Sequence, residues 1–271
     1  MKKYLIIGAF GTLGTEFRRQ LPEEETISTD SETLDITNSV ELENFLIEHK
    51  PEIVINCAGY TNVDGAEQNC ELAEKINGSA LLNLSKACNQ ISAKLIHFSS
   101  GMVFDGQESD GYNEDSKTNP VNKYGQSKLV GEKNIIDNCQ DYLLIRTSWL
   151  YGKPVSEDAK KSFIEIMIDL AKSGKVKGVT DEIGKPTWTK DLVAGVMELI
   201  SSKATSGIYH LANEGSTSRL DWTKEIYRLE NISTEIEPVL GSDFPRPAKR
   251  PHFELLNNTK ATKLRTWQTA L

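Results

Sequence analysis

The chain has 271 residues, enough for one large α/β domain, or a main domain with a small second lobe, around a sizeable core. A formal net charge of -8 argues against a nucleic-acid binder, and no apolar run reaches the roughly 18 residues of a membrane span. The first apolar run, Tyr4 to Ile7, is too short for a signal peptide, and Cys57, Cys70, Cys88 and Cys139 have no metal-ligand spacing. Together these point to a reduced, cytoplasmic protein, with no membrane or nucleic-acid partner and no metal site legible from spacing.

Tyr4 to Ile7 is predicted as a buried strand, and Thr15 to Leu21 as a helix. Between them, Gly8-Ala9-Phe10-Gly11-Thr12-Leu13-Gly14 carries glycines at G-x2-G-x2-G spacing. Strand, glycine turn and helix together let a backbone approach a pyrophosphate at the helix N-terminus. Thr26 to Asp30 reads as a second strand. Asp30 is placed either to accept from an adenosine ribose 2′-OH, which would favour NAD over NADP, or to cap a loop. Asp35 is a second candidate, with Ile36 beside it to touch an adenine, and a helix is expected from Ser39 to His49.

The run from Pro51 to Asn56 is apolar and β-branched, as in a strand buried on both faces. Ala58, Gly59, Tyr60 and Thr61 follow at its carboxyl end, where open α/β sheets bind their ligands. Glu67 to Gln90 is predicted as one helix, and Lys94 to Phe98 as a strand ending in Ser99-Ser100. Ser100 is read either as a donor to a substrate carbonyl or as a turn serine. After a polar loop, Asn122 to Asp137 is expected to be helical and Leu143 to Arg146 a strand.

On that helix Tyr124 and Lys128 lie four residues apart and share one face. A phenol near pKa ~10 needs help to exchange protons at neutral pH. A neighbouring ammonium would lower that pKa and make Tyr124 a usable acid and base. Taken alone, the spacing also occurs on ordinary surface helices.

The alternation of strand and helix predicts a parallel doubly wound sheet of Rossmann type over residues 1–152. Residues 153–271 are expected to form a smaller substrate-binding lobe, some of whose segments could return to the first unit. Helices are predicted at Ser162 to Ser173, Thr187 to Ser201 and Arg219 to Leu229, and a strand at Gly207 to Leu211. The proline-rich stretch from Pro238 to Pro251 carries Arg246, Lys249 and Arg250, which would either meet a diphosphate or lie solvated.

Several motifs coincide with those of one family. Asn56-Cys57-Ala58-Gly59-Tyr60-Thr61-Asn62-Val63-Asp64-Gly65-Ala66-Glu67, Val103-Phe104-Asp105-Gly106, Tyr124-Gly125-Gln126-Ser127-Lys128 and Arg146-Thr147-Ser148-Trp149-Leu150-Tyr151-Gly152 resemble the dTDP-4-dehydrorhamnose reductases of the extended short-chain dehydrogenase/reductase superfamily. Gly207-Ile208-Tyr209-His210-Leu211 and Arg250-Pro251 fit the later part. The resemblance implies NADPH- or NADH-dependent reduction of a 4-keto group on a nucleotide-linked 6-deoxyhexose, by a monomer or homodimer. It implies that Tyr124 protonates the C4 oxygen, with Ser100 hydrogen-bonded to the same atom. Lys128 would hold the nicotinamide ribose. Gly8, Gly11, Thr12, Leu13 and Gly14 would serve the pyrophosphate, Asp30, Asp35 and Ile36 the adenosine half, and Ala58 to Thr61 the cofactor's flank. Trp149 and Arg250 would meet the sugar nucleotide.

Two departures stand out. Where the family reads S-T-D-Y-V-F-D-G, this chain has Ser99-Ser100-Gly101-Met102-Val103-Phe104-Asp105-Gly106, so a sugar-contacting aspartate is replaced by Gly101. Lys185 adds a positive charge where a small residue is usual. These leave room for another nucleotide-linked keto-sugar, an epimerase-type reaction, or a non-catalytic nucleotide-binding regulator. Retention of Ser100, Tyr124 and Lys128 disfavours the last.

Overall fold

The computed structural model describes residues 2–153 and 161–271. Six parallel strands form the central sheet, in the order Gly207–His210, Tyr142–Thr147, Lys94–Ser100, Ile53–Asn56, Tyr4–Ile7 and Thr26–Thr29. The chain lays its second strand on one side of the first and its third on the other. The direction of winding therefore reverses beside Tyr4–Ile7, and a crevice opens there at the carboxyl ends of the strands.

Successive strand residues point to opposite faces, and here both faces are apolar. Ile6, Ile55, Ile96 and Ile145 pack under Phe17 of the Thr12–Gln20 helix and Leu192, Val193 and Val196 of the Thr189–Ser201 helix. Leu5, Ile7, Val54, Leu95 and Leu144 meet Leu42 and Leu46 of the Ser39–His49 helix, with Leu81 and Leu84 of the Ala80–Gln90 helix. Each such side chain contributes about 1.5–3 kcal/mol by leaving water.

Segments after residue 152 serve both layers. The Gly207–His210 strand and the Thr189–Ser201 helix belong to the main sheet and its cover. The remainder packs around Trp222, Ile226, Tyr227 and Trp267. Its short strands include Ile183–Gly184, which lies between Thr217–Ser218 and Phe253–Glu254. The expected boundary at residue 153 adjoins residues 154–160, which lie outside the described residues.

Two elements differ from expectation. The first helix begins at Thr12 rather than Thr15 and includes Gly14. A Cβ at residue 14 would lie 2.2 Å from the Gly8 carbonyl oxygen, so only glycine lets the helix start this close to the strand end. The single helix expected from Glu67 to Gln90 is broken into Gly65–Gln68, Cys70–Glu74, a π-helical turn at Lys75–Ser79, and Ala80–Gln90.

Candidate active site

One cleft of about 1350 Å³ runs along the carboxyl ends of the strands and is lined on its far side by Phe163, Met167, Val179, Trp222 and Phe244. That volume exceeds the usual range for a single small ligand and suits two. Gly8, Gly11, Thr12 and Leu13 line it, as do Asp30, Asp35, Ile36, Ala58, Gly59 and Thr61. Ser100, Tyr124, Lys128, Trp149 and Arg250 complete the set expected from the sequence. Gly14, Tyr60 and Gly101 do not line it. Gly14 serves the helix–strand contact, Tyr60 is held by its backbone, and Gly101 lies beneath another side chain. Lys185 is buried outside the cleft.

The glycine turn suits a phosphate. Gly8 has φ +74, and a Cβ there would approach the Ala58 nitrogen to 2.7 Å. Gly11, the N-cap of the first helix, has no side chain to cap it, and Gly11, Thr12 and Leu13 at that helix start line the cleft. Further along, the two acids bind their own turns. Asp30 Oδ1 accepts from the Glu32 and Thr33 amides and from Thr33 Oγ1, and Asp35 accepts from Thr37. Those bonds hold both carboxyls below the usual carboxylate range, so both stay charged at neutral pH.

The reactive end is assembled by close backbone contact. Asn122 caps the Lys123–Asn138 helix, its Oδ1 accepting from Gly125 N at 2.7 Å. A Cβ at Gly125 would lie 2.1 Å from the Met102 carbonyl oxygen, so this helix rests directly on the turn that follows Ser100. The Tyr124 phenol is thereby brought to the same stretch of the cleft as Ser100, whose Oγ accepts from Met102 N at 3.2 Å. Lys128 is buried, and its Nζ donates to the Phe98 carbonyl at 3.1 Å.

The acidities differ from expectation. Tyr124 is pushed up to about 12, first by burial and then by the Glu254 carboxylate, against the neighbouring Ser100 hydroxyl. Lys128 is itself pushed down to about 8, chiefly by burial. The phenol is therefore not acidified by the lysine. It is kept protonated at neutral pH, the state that a proton donor requires.

A sequence family described as the RmlD substrate binding domain matches residues 1–271. The chain belongs to that family. It is 34% identical over 280 residues to a dTDP-4-dehydrorhamnose reductase of Mycolicibacterium smegmatis, covering 100% of this chain and 84% of the relative. It is also 34% identical over 279 residues to a probable dTDP-4,6-dihydroxy-2-methyloxan-3-one 4-ketoreductase of Streptomyces antibioticus, covering 99% and 93%. The crystal structure of a dTDP-4-dehydrorhamnose reductase from Bacillus anthracis in complex with NADP matches with a TM-score of 0.93 and 34% identity, covering 99% of this chain and 97% of that one.

This member of the RmlD family also carries site residues that the sequence reading missed. Asn77, on the π-helical turn, accepts from Tyr60 N at 2.8 Å and donates to Tyr60 O and Ser127 Oγ, each at 3.0 Å. It fixes the Gly59–Tyr60 loop beside Lys128. Its signal was hidden because the runs on either side of the π turn, a form that recurs at functional sites, still read as helix. Arg219 lies with its guanidinium carbon 3.5 Å from the Trp149 ring centroid, and Glu254 Oε2 accepts from Trp149 Nε1 at 3.1 Å. Both line the cleft. Trp149 itself has φ 41, a conformation costly for a bulky residue and tolerated where surrounding packing holds it. Nothing in local sequence marks Arg219 or Glu254. Arg250, read either as meeting a diphosphate or as lying solvated, is paired in a bidentate manner with Asp64 at 2.8 and 3.0 Å.

Proposed function

We propose that the chain catalyses NADPH- or NADH-dependent reduction of the 4-keto group of a nucleotide-linked 6-deoxyhexose, with dTDP-4-dehydro-L-rhamnose as the favoured substrate. The observation that carries this reading is the meeting of Ser100, Tyr124 and Lys128 in the same cleft as the Gly8–Leu13 phosphate turn. Family membership along the whole chain supports it.

Gly11, Thr12 and Leu13 would hold the pyrophosphate, Asp30, Asp35 and Ile36 the adenosine half, and Ala58, Gly59 and Thr61 the cofactor's flank. Lys128 would hydrogen-bond the nicotinamide ribose. A bound dihydronicotinamide supplies the hydride to C4. Tyr124 gives its proton to the C4 oxygen as negative charge develops there, and the Ser100 hydroxyl donates to the same oxygen.

A second sugar remains a live reading because a relative as similar as 34% is named for reduction of a different dTDP-linked ketone. The four cysteines are all free, which supports a reducing, cytoplasmic setting. The test is oxidation of NADPH and NADH, followed by absorbance, with a panel of nucleotide-linked 4-keto-6-deoxysugars. Turnover with the dTDP sugar is expected, and the ratio of the two coenzymes reports on Asp30. Coenzyme binding without turnover on any sugar would overturn the reading.

A further inference from the structure

Glu254 is a buried acid that lines the cleft beside the reacting groups. It ends the short Phe253–Glu254 strand, in register with Gly184, and is 4% exposed. Its side chain crosses the face of Gly101. A Cβ on residue 101 would lie 2.6 Å from Glu254 Cγ and 3.1 Å from Oε1, so the glycine is what makes room for this carboxylate. Gly101 directly follows Ser100, and the Glu254 charge is felt at the Tyr124 phenol. The acid therefore stands one residue along from the pair that faces the substrate carbonyl.

Its two oxygens have different surroundings. Oε2 accepts from Trp149 Nε1 at 3.1 Å. Oε1 has no hydrogen-bond partner among the described residues, yet the residue lines the cleft. That oxygen is not enclosed: it opens to the cleft, where a donor arriving with the ligand can reach it. Burial pushes the acid up to about 7, while the Arg219 guanidinium and the Trp149 hydrogen bond hold it down.

Resting on the reductase reading, we propose that Glu254 is a specificity-determining residue of this chain, whose Oε1 accepts a hydrogen bond from the sugar hydroxyl next to the C4 carbonyl. Beside that carbonyl a hexose offers a hydroxyl on one side and, through C5, a methyl on the other. Only the hydroxyl supplies the donor that Oε1 lacks. In this chain a carboxylate reaches that position from residue 254, across the space that a side chain at residue 101 would fill.

The test compares kcat/KM for a dTDP-linked 4-keto-6-deoxyhexose bearing the C3 hydroxyl with that for its 3-deoxy counterpart, in wild type, Glu254→Ala and Glu254→Gln. Glu254→Ala is expected to lose about 10- to 100-fold on the hydroxylated sugar, the worth of a hydrogen bond to a charged group, and to change little on the deoxy sugar. Glu254→Gln keeps the shape and should lose less. Gly101→Asp alone should be impaired on both sugars, because its Cβ meets Glu254. The double variant Gly101→Asp/Glu254→Ala should recover discrimination for the hydroxyl. NADPH affinity, read by fluorescence, confirms folding in each variant. Equal loss on both sugars, or a double variant no better than Glu254→Ala, would overturn the assignment and leave the reductase reading standing. Turnover of neither sugar by the wild type would overturn both.

Discussion

Lys128 is expected to carry a measurable cost in stability. Its ammonium is buried at 5% exposure, and its pKa falls from the usual 10.5 to about 8. At 1.36 kcal/mol per tenfold, that fall amounts to about 3 kcal/mol of destabilisation wherever the group is charged in both folded and unfolded chains. Lys128→Met removes the charge and keeps most of the volume, but it leaves the Phe98 carbonyl without its donor. That loss is worth about 1 kcal/mol, so the variant should be more stable by about 2 kcal/mol at pH 7. For a chain of this size the melting temperature should rise by roughly 4–8 °C.

The pH dependence gives the argument a second handle. The folded chain releases the Lys128 proton near pH 8, whereas the unfolded chain keeps it until about 10.5. Between those values the unfolded state binds more protons, so the wild type gains stability as pH rises. The advantage of Lys128→Met is therefore full below about pH 8, gone near pH ~9.5, and reversed by about 1 kcal/mol, the lost Phe98 hydrogen bond, above about pH 10.5. Thermal melts of both proteins without coenzyme, from pH 6 to 10, measure this directly. Other titrating groups are common to both proteins and cancel in the difference. A variant that melts at or below the wild type at pH 7, or a gap that does not narrow with pH, would show that the ammonium is not desolvated as described. Turnover of the variant should fall even as its stability rises.

Tyr124→Phe should cut turnover at least ~10²-fold while leaving NADPH affinity nearly intact, as measured by steady-state kinetics and fluorescence titration. Unchanged turnover would dismiss the proton-donor role. Beneath the site, Arg146 and Glu132 form a bidentate ion pair at 2.7 and 2.9 Å, exposed by only 3% and 1%, with Ser99 donating to the same carboxylate. Arg146→Met should cost about 3–5 kcal/mol in urea unfolding because it strands a buried charge. Glu132→Leu/Arg146→Met should recover most of that. A double variant as unstable as the single would refute the explanation.

The chain's local chemistry was sufficient to determine the parallel sheet, the glycine turn and the Tyr124–Lys128 face. Each rests on short-range rules: apolar runs of strand length, glycine where backbone must come close, and the turn of a helix. The bounds of the Ser39–His49 and Arg219–Leu229 helices follow from the same rules. The break at Lys75–Ser79 does not: its inserted residue stretches only one apolar interval, Ile76 to Leu81, to five, and the runs on either side still read as helix.

What only the tertiary structure decided is how distant groups act on one another. The acidity of Tyr124 depends on burial and on a carboxylate 130 positions further along the chain, so the local reading, with Lys128 as the controlling neighbour, had the sign of the shift reversed. Asp30 was legible as a loop cap, which its bonds to Thr33 make it, whereas the pairing of Arg250 with Asp64 was not. The missing side chain at Gly101 could be seen in the sequence as a loss. That Glu254 fills the same space is a fact of packing, set by a two-residue strand whose register against Ile183–Gly184 no local pattern encodes.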